Sequence, residues 1–293
     1  MKLIVCIVAS CSQVYDAFKI IQINYIIKLK KFYPHLDINF YFLYSVIDVK
    51  DAIYHLDENR KFIYCDFYDK DIEKRKEGYI SKSMFKRSIA FFNHLKNENL
   101  LNNDTFILRT NLTTLFDFQK VMQWLNNKPN QLFISGSFIG EYQAKNTTFS
   151  GTNIIMSSDV ILYLSNIPYN IEYLDRFSED QLISRIVIQK LPVFIINIKR
   201  LDIIEIDAIY IKPTICYHKC NIGDESIFSF RFKTHNRQID IECISKLSND
   251  IFNNDFSIGK YIVEIVDKYD FDLTTESQKY GQLYSESTFK LIH

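Results

Sequence analysis

Glycine and proline are scarce in this chain: 7 and 5 among 293 residues, beside a single tryptophan. So little of either excludes a collagen-like or low-complexity protein and leaves no flexible linker to separate domains. A basic surplus is missing as well, because 35 Lys and Arg balance 35 Asp and Glu. Nucleic-acid binders normally carry such a surplus, so that class of partner is not expected. No apolar run approaches the roughly 18 residues of a membrane span, and no transmembrane segment is expected. The opening MKLIVCIVASCSQ is short for the apolar core of a signal peptide and reads as a buried strand entering a small-residue loop. The six cysteines are scattered, which argues against a disulfide framework and for a reducing compartment. Cys216 and Cys220 bracket His218, but structural zinc takes four ligands and no second pair follows.

What is present is an ordinary globular balance, 47% apolar and 24% charged residues, in a chain long enough for a large core. Short β-rich runs at 2–9, 38–44, 62–66 and 105–109 alternate with segments of helical spacing at 13–32 and 79–97. That order predicts an α/β fold with a mostly parallel sheet under helices. Further on, 117–127 reads as a helix capped by Asp117, 131–135 and 150–157 as strands, and 178–190 as a helix capped by Ser178 with acids in its first turn. Residues 193–198 suggest another strand, and 240–252 and 257–268 suggest helices. A single domain over residues 1–250 with a C-terminal helical extension over 251–293 is the simplest division.

In a parallel sheet the ligand sits beyond the carboxyl ends of the strands. Three such ends are expected at one mouth: the loop around Ser10, the pair Cys65-Asp66, and the corner Arg109-Thr110-Asn111. No Gly-x-Gly-x-x-Gly follows the first strand, so the usual dinucleotide-binding turn is not expected.

The ordered series Arg-Thr-Asn-Leu-Thr-Thr (109–114), Ser-Gly-Thr-Asn-Ile-Ile-Met-Ser-Ser-Asp (150–159) and Ser-Glu-Asp-Gln-Leu-Ile (178–183), with Lys82 upstream and Phe-Arg-Phe-Lys (230–233) to Asp240 downstream, resembles glycosyltransferases of the GT-A fold. The likeness is strongest to the divergent set encoded by large DNA viruses and some bacteria, and it covers residues 1–250. It implies a Rossmann-like mixed sheet, a UDP- or GDP-sugar donor, and transfer to a hydroxyl of a glycan or small acceptor in the cytoplasm, the host's if the chain is viral.

The family's corner strand usually ends in Asp-x-Asp, which holds a divalent ion against the donor diphosphate; here Arg109-Thr110-Asn111 stands instead. Asn111 would be a weak ligand for Mn²⁺ or Mg²⁺, so weak metal binding and metal independence both remain open. Arg109 could neutralise phosphate directly, or pair with an internal acid while Asn111 caps a turn. The resemblance also implies that Lys82 and His218 reach the diphosphate and that Asp180 is the general base of an inverting transfer, with Glu179 positioning sugar hydroxyls. Asp66 has two readings, base or ribose contact and plain turn residue. Gly151 permits close backbone approach and Asn153 is a candidate for a sugar hydroxyl. Arg231, Lys233, His235 and Arg237 form a basic cluster in a neutral protein, readable as a diphosphate contact or as a solvated edge strand. A nucleotidyltransferase would want a Gly-rich loop after the first strand, which is absent. A degenerate, non-catalytic nucleotide-sugar or glycan-binding module remains the alternative.

Overall fold

The structure is a computed structural model that describes residues 1–9, 13–45, 53–57, 60–65, 82–139, 147–168, 177–204, 214–218, 224–234, 236–275 and 289–290. The first half holds β1 (Lys2–Val8), a 3-10 turn (Gln13–Tyr15), α1 (Asp16–Phe32), β2 (Ile38–Ser45), β3 (Ile53–Asp57), β4 (Arg60–Cys65), α2 (Lys82–Asn97), β5 (Thr105–Asn111), β6 (Thr114–Phe116) and α3 (Phe118–Leu125). Then come β7 (Phe133–Gly136), β8 (Phe138–Ile139), β9 (Thr148–Phe149), β10 (Ile154–Ser157), α4 (Ser158–Ser165), α5 (Glu179–Lys190) and β11 (Phe194–Asn197). The chain continues through β12 (Arg200–Ile204), β13 (Thr214–His218), β14 (Ser229–Lys233), α6 (Arg237–Asp250), α7 (Ile258–Tyr269), β15 (Asp272–Thr275) and β16 (Phe289–Lys290).

The main sheet runs β16-β11-β7-β10-β5-β1-β2-β4-β3, and a second sheet runs β15-β13-β12-β14-β6. Pairings β1–β2, β1–β5, β2–β4 and β7–β11 are parallel. Strand β10 is antiparallel to both its neighbours, so the main sheet is mixed. The expected α/β class holds, with one sheet covered on both faces. Alternation along β1 explains this: Leu3, Val5 and Ile7 join a core with α1, α3, α6 and α7, while Ile4 and Cys6 join one with α2, α4 and α5.

Helix ends follow their capping residues. Asp117 accepts from the Lys120 N–H at 3.1 Å to start α3, and the Gln181 side chain accepts from the Ser178 N–H at 3.2 Å to start α5. The division expected at residue 250 is not a seam. Ile258, Tyr261, Ile262 and Ile265 of α7 lie in the same core cluster as Leu3 and Val5, and β15 and β16 extend the two sheets. Beyond residue 250 the described residues include strands as well as helix α7, and the apolar face of α7 packs in the first core. Among the described residues no helix is long and apolar enough to cross a membrane.

Candidate functional site

Strand β5 carries Arg109 into the interior. Alternation puts Arg109 on the face of Ile107, which belongs to the core shared with α2 and α5. Arg109 is 3% exposed. There the first turn of α5 meets it: Arg109 Nε donates to Glu179 Oε1 at 3.1 Å and Nη2 donates to Glu179 Oε2. Ser88 of α2 also donates its hydroxyl to Glu179. Burial by itself lowers the Arg109 pKa; Glu179, then Asp180, outweigh it and the net shift is upward. The expectation that Arg109 neutralises phosphate gives way to an internal ion pair, and Glu179, 4% exposed, is spent on that pair rather than on a sugar.

The remaining corner residues are also committed. Asn111 Oδ1 accepts from the Thr113 N–H at 3.1 Å and from the Thr113 and Thr114 hydroxyls at 3.1 and 3.0 Å, closing an Asx turn. Gln22 of α1 holds this turn from below by donating to the carbonyls of Leu112 and Thr114. Thr110, buried, donates to the Thr152 carbonyl at 2.7 Å. Asn153, fully buried, donates to the Ser137 hydroxyl at 2.8 Å and accepts from the Ser137 N–H at 3.0 Å, so it ties two strands together instead of meeting a sugar. The corner therefore does not fit a divalent ion: its first residue is a paired cation and its amide oxygen already has three donors.

Asp180 is the acid left half-exposed. Its Oδ2 accepts from the Gly151 N–H at 2.7 Å and its Oδ1 from the Gln181 N–H at 3.0 Å. A Cβ on Gly151 would lie 2.6 Å from Arg109 Nη1 and 2.9 Å from Asp180 Oδ2, so the turn takes glycine because a cation and an acid close over it. The register Ile154↔Arg109 sets this turn beside the carboxyl end of β5. It is the position expected of a ligand-facing loop.

From Gly151 the polar contacts pass to the second sheet. Arg200 Nη1 donates to the Thr152 hydroxyl at 2.8 Å, and Arg200 Nη2 donates to Asp202 Oδ2 at 2.8 Å. Arg231 reaches the same Asp202 oxygen at 3.6 Å. Its pKa is lowered, first by burial and then by Arg200, with Asp202 and Asp180 opposing. Lys233, exposed on the same strand, is lowered chiefly by Arg231, then by burial and Arg237. Arg237 donates to the buried Asp240 at 2.8 Å and its guanidinium lies 5.7 Å from the centre of the Tyr15 ring, on the stretch that follows β1. The strand register puts His218 opposite Arg200. Lys82 opens α2. Ser10, Asp66, His235 and Cys220 lie outside the described residues.

Sequence reading named Asp180, Gly151, Lys233 and Arg237 as candidates but did not name Arg200, Asp202 or Thr152. The alternation in Arg200-Leu-Asp202-Ile was the available signal, since strand geometry puts the two charges on one face. Against models of known protein families the chain matches none, and no curated protein matches it.

Proposed function

We propose that the chain is a GT-A-like glycosyltransferase that moves a sugar from a UDP- or GDP-sugar to a hydroxyl of a glycan or small acceptor. The observation that supports this reading best is Asp180: a half-exposed carboxylate at the carboxyl edge of the sheet, oriented by two backbone N–H groups. A carboxylate offers about four acceptor positions, so two remain for an incoming hydroxyl. In this reading Asp180 takes the proton of the attacking acceptor while the sugar–phosphate bond breaks, and the nucleoside diphosphate leaves carrying the bonding electrons. Arg109 and Glu179 act beneath it, fixing the first turn of α5 and the Gly151 turn.

The test is a panel of nucleotide sugars with simple acceptors. Transfer by the parent, reduced at least ~100-fold in Asp180→Asn at unchanged melting temperature, is the expected outcome. Full activity in Asp180→Asn removes the proposed base. One observation favours a second reading: the two groups that could have contacted donor or sugar, Arg109 and Glu179, are spent on each other. A donor that binds without hydrolysis or transfer would fit a degenerate binding module instead.

A further inference from the structure

We infer that the outward side of α1 is a docking surface for a membrane that carries anionic phospholipids. Among the described residues seven large apolar side chains are exposed, and four of them, Val14, Ile20, Ile27 and Phe32, fall on α1 or the turn before it. Single exposed apolar residues need no explanation, but a row of them does. Phe18, Gln22, Tyr25 and Leu29 recur at helical spacing on the side that faces the core. Ile20, 56% exposed, and Ile27, 51% exposed, stand on the opposite side with half-buried Ile23 between them. About two turns of helix separate the pair, a span of about 10 Å. This is an apolar row that water wets in the free protein, and its burial is favourable.

Charge decides what covers this side. Helix α1 carries Lys19, Lys28, Lys30 and Lys31 against a single acid, Asp16, in a chain whose net charge is zero. Asp16 takes Lys19 at 3.0 Å. Lys28 donates to the neutral Asn249, and Lys30 donates to the Ile38 carbonyl at 2.6 Å and feels Asp37 without pairing with it. Among the described residues no carboxylate pairs with Lys28, Lys30 or Lys31. The lysines of α6 and α7 differ: Lys246 meets Asp250 and Glu264, Lys260 meets Asp255, and Lys268 meets Glu242, all within 3.4 Å. A second copy of the chain packed on α1 about a two-fold axis would set its lysines against themselves. A helical protein partner would seek an apolar groove, whereas five of the seven residues lining the groove between α1 and α6 are polar, Lys28, Ser245 and Asn249 among them. A bilayer needs neither groove nor symmetry. It takes a protruding apolar row beside cations whose stems lie along the apolar surface and whose heads meet lipid phosphates. Each lysine near an anionic surface is worth about fivefold in affinity, and the isoleucines add the apolar signal that charge alone does not supply.

The inference stands apart from the transferase reading, since neither isoleucine and none of these lysines belongs to the proposed site, and its test involves no assay of transfer. The full chain is floated with vesicles of phosphatidylcholine alone and of phosphatidylcholine with phosphatidylserine at about seven to three. Each is run at low salt and again near 1 M, where the Debye length falls to about 3 Å. Binding to the anionic vesicles alone, lost at high salt, is expected. Lys28→Gln/Lys31→Gln should weaken it about 25-fold, two lysines at about fivefold each. Ile20→Asn/Ile27→Asn should weaken it at least ~10-fold. Both isoleucines are exposed, so the melting temperature should not change. Leu162→Asn removes an exposed apolar residue of α4, whose buried side chains belong to the core on the other face of the main sheet, and should leave binding unchanged. No binding to anionic vesicles, equal binding to neutral ones, or binding that survives both double variants overturns the inference. So does a chain that stays off vesicles and sediments as a dimer which Ile20→Asn/Ile27→Asn dissociates, because the row is then a self-association surface.

Discussion

Arg109 and Arg231 are both strand arginines beside a carboxylate, yet they sit in opposite electrostatic situations. Arg109 is matched one to one with Glu179, and both side chains are almost fully buried. Arg231 competes for an acid that Arg200 already occupies, and it keeps part of its surface in solvent. The first arrangement is closed and serves the scaffold. The second brings two arginines to one acid and is partly open to solvent. Prominence in the sequence drew attention to Arg109, because a cation ending a buried strand stands out whereas one in a basic cluster looks ordinary. Burial and pairing set the two apart.

The largest effect should come from breaking the closed member. Arg109→Met or Glu179→Gln leaves an uncompensated or poorly paired group in the interior and should lower stability by about 3–5 kcal/mol in urea unfolding. The double variant Arg109→Met/Glu179→Leu should recover much of that loss, since no charge then remains buried. If each single variant costs no more than an exposed pair, the description of a closed scaffold pair fails.

A smaller loss is expected where the two regions meet. Gly151→Ala drives a methyl to within 2.6 Å of Arg109 Nη1 and 2.9 Å of Asp180. Neither group can retreat cheaply, because Glu179 pins the first and two N–H groups pin the second. Destabilisation of about 1–3 kcal/mol in thermal or urea unfolding follows from such overpacking.

The smallest effect belongs to the open member and has the opposite sign. The folded-state pKa of Lys233 lies below its ordinary value, chiefly because of Arg231. Protonated Lys233 therefore opposes folding below that value, and the penalty disappears as pH rises toward the unfolded-state pKa. Lys233→Gln should gain no more than about 0.3 kcal/mol at neutral pH after solvent screening, and the two proteins should converge as pH climbs toward ~11.

Much of the fold was legible locally. Short apolar runs mark β1 and β5, helical spacing marks α1 and α2, and the caps Asp117 and Ser178 stand where their helices start. Strand β12 was not read, because Arg200 and Asp202 interrupt its apolar pattern and their reason lies across the sheet. The C-terminal helix α7 was found as an element, but its place in the first core was not, since an apolar stripe shows that a surface is covered and not what covers it.

The sequence by itself determined the alternation of strands and helices through the first half of the chain, the apolar stripe of its main helices, and the presence of an Arg-Thr-Asn corner without a paired acid. Tertiary structure alone decided that Glu179, 70 residues away, closes on Arg109, and that Arg200 claims Asp202 before Arg231 can. Side-chain direction follows from a period of two or 3.6 along the chain. Charge pairing follows from distances of a few ångströms between elements remote in sequence, and only sheet order and helix docking set those.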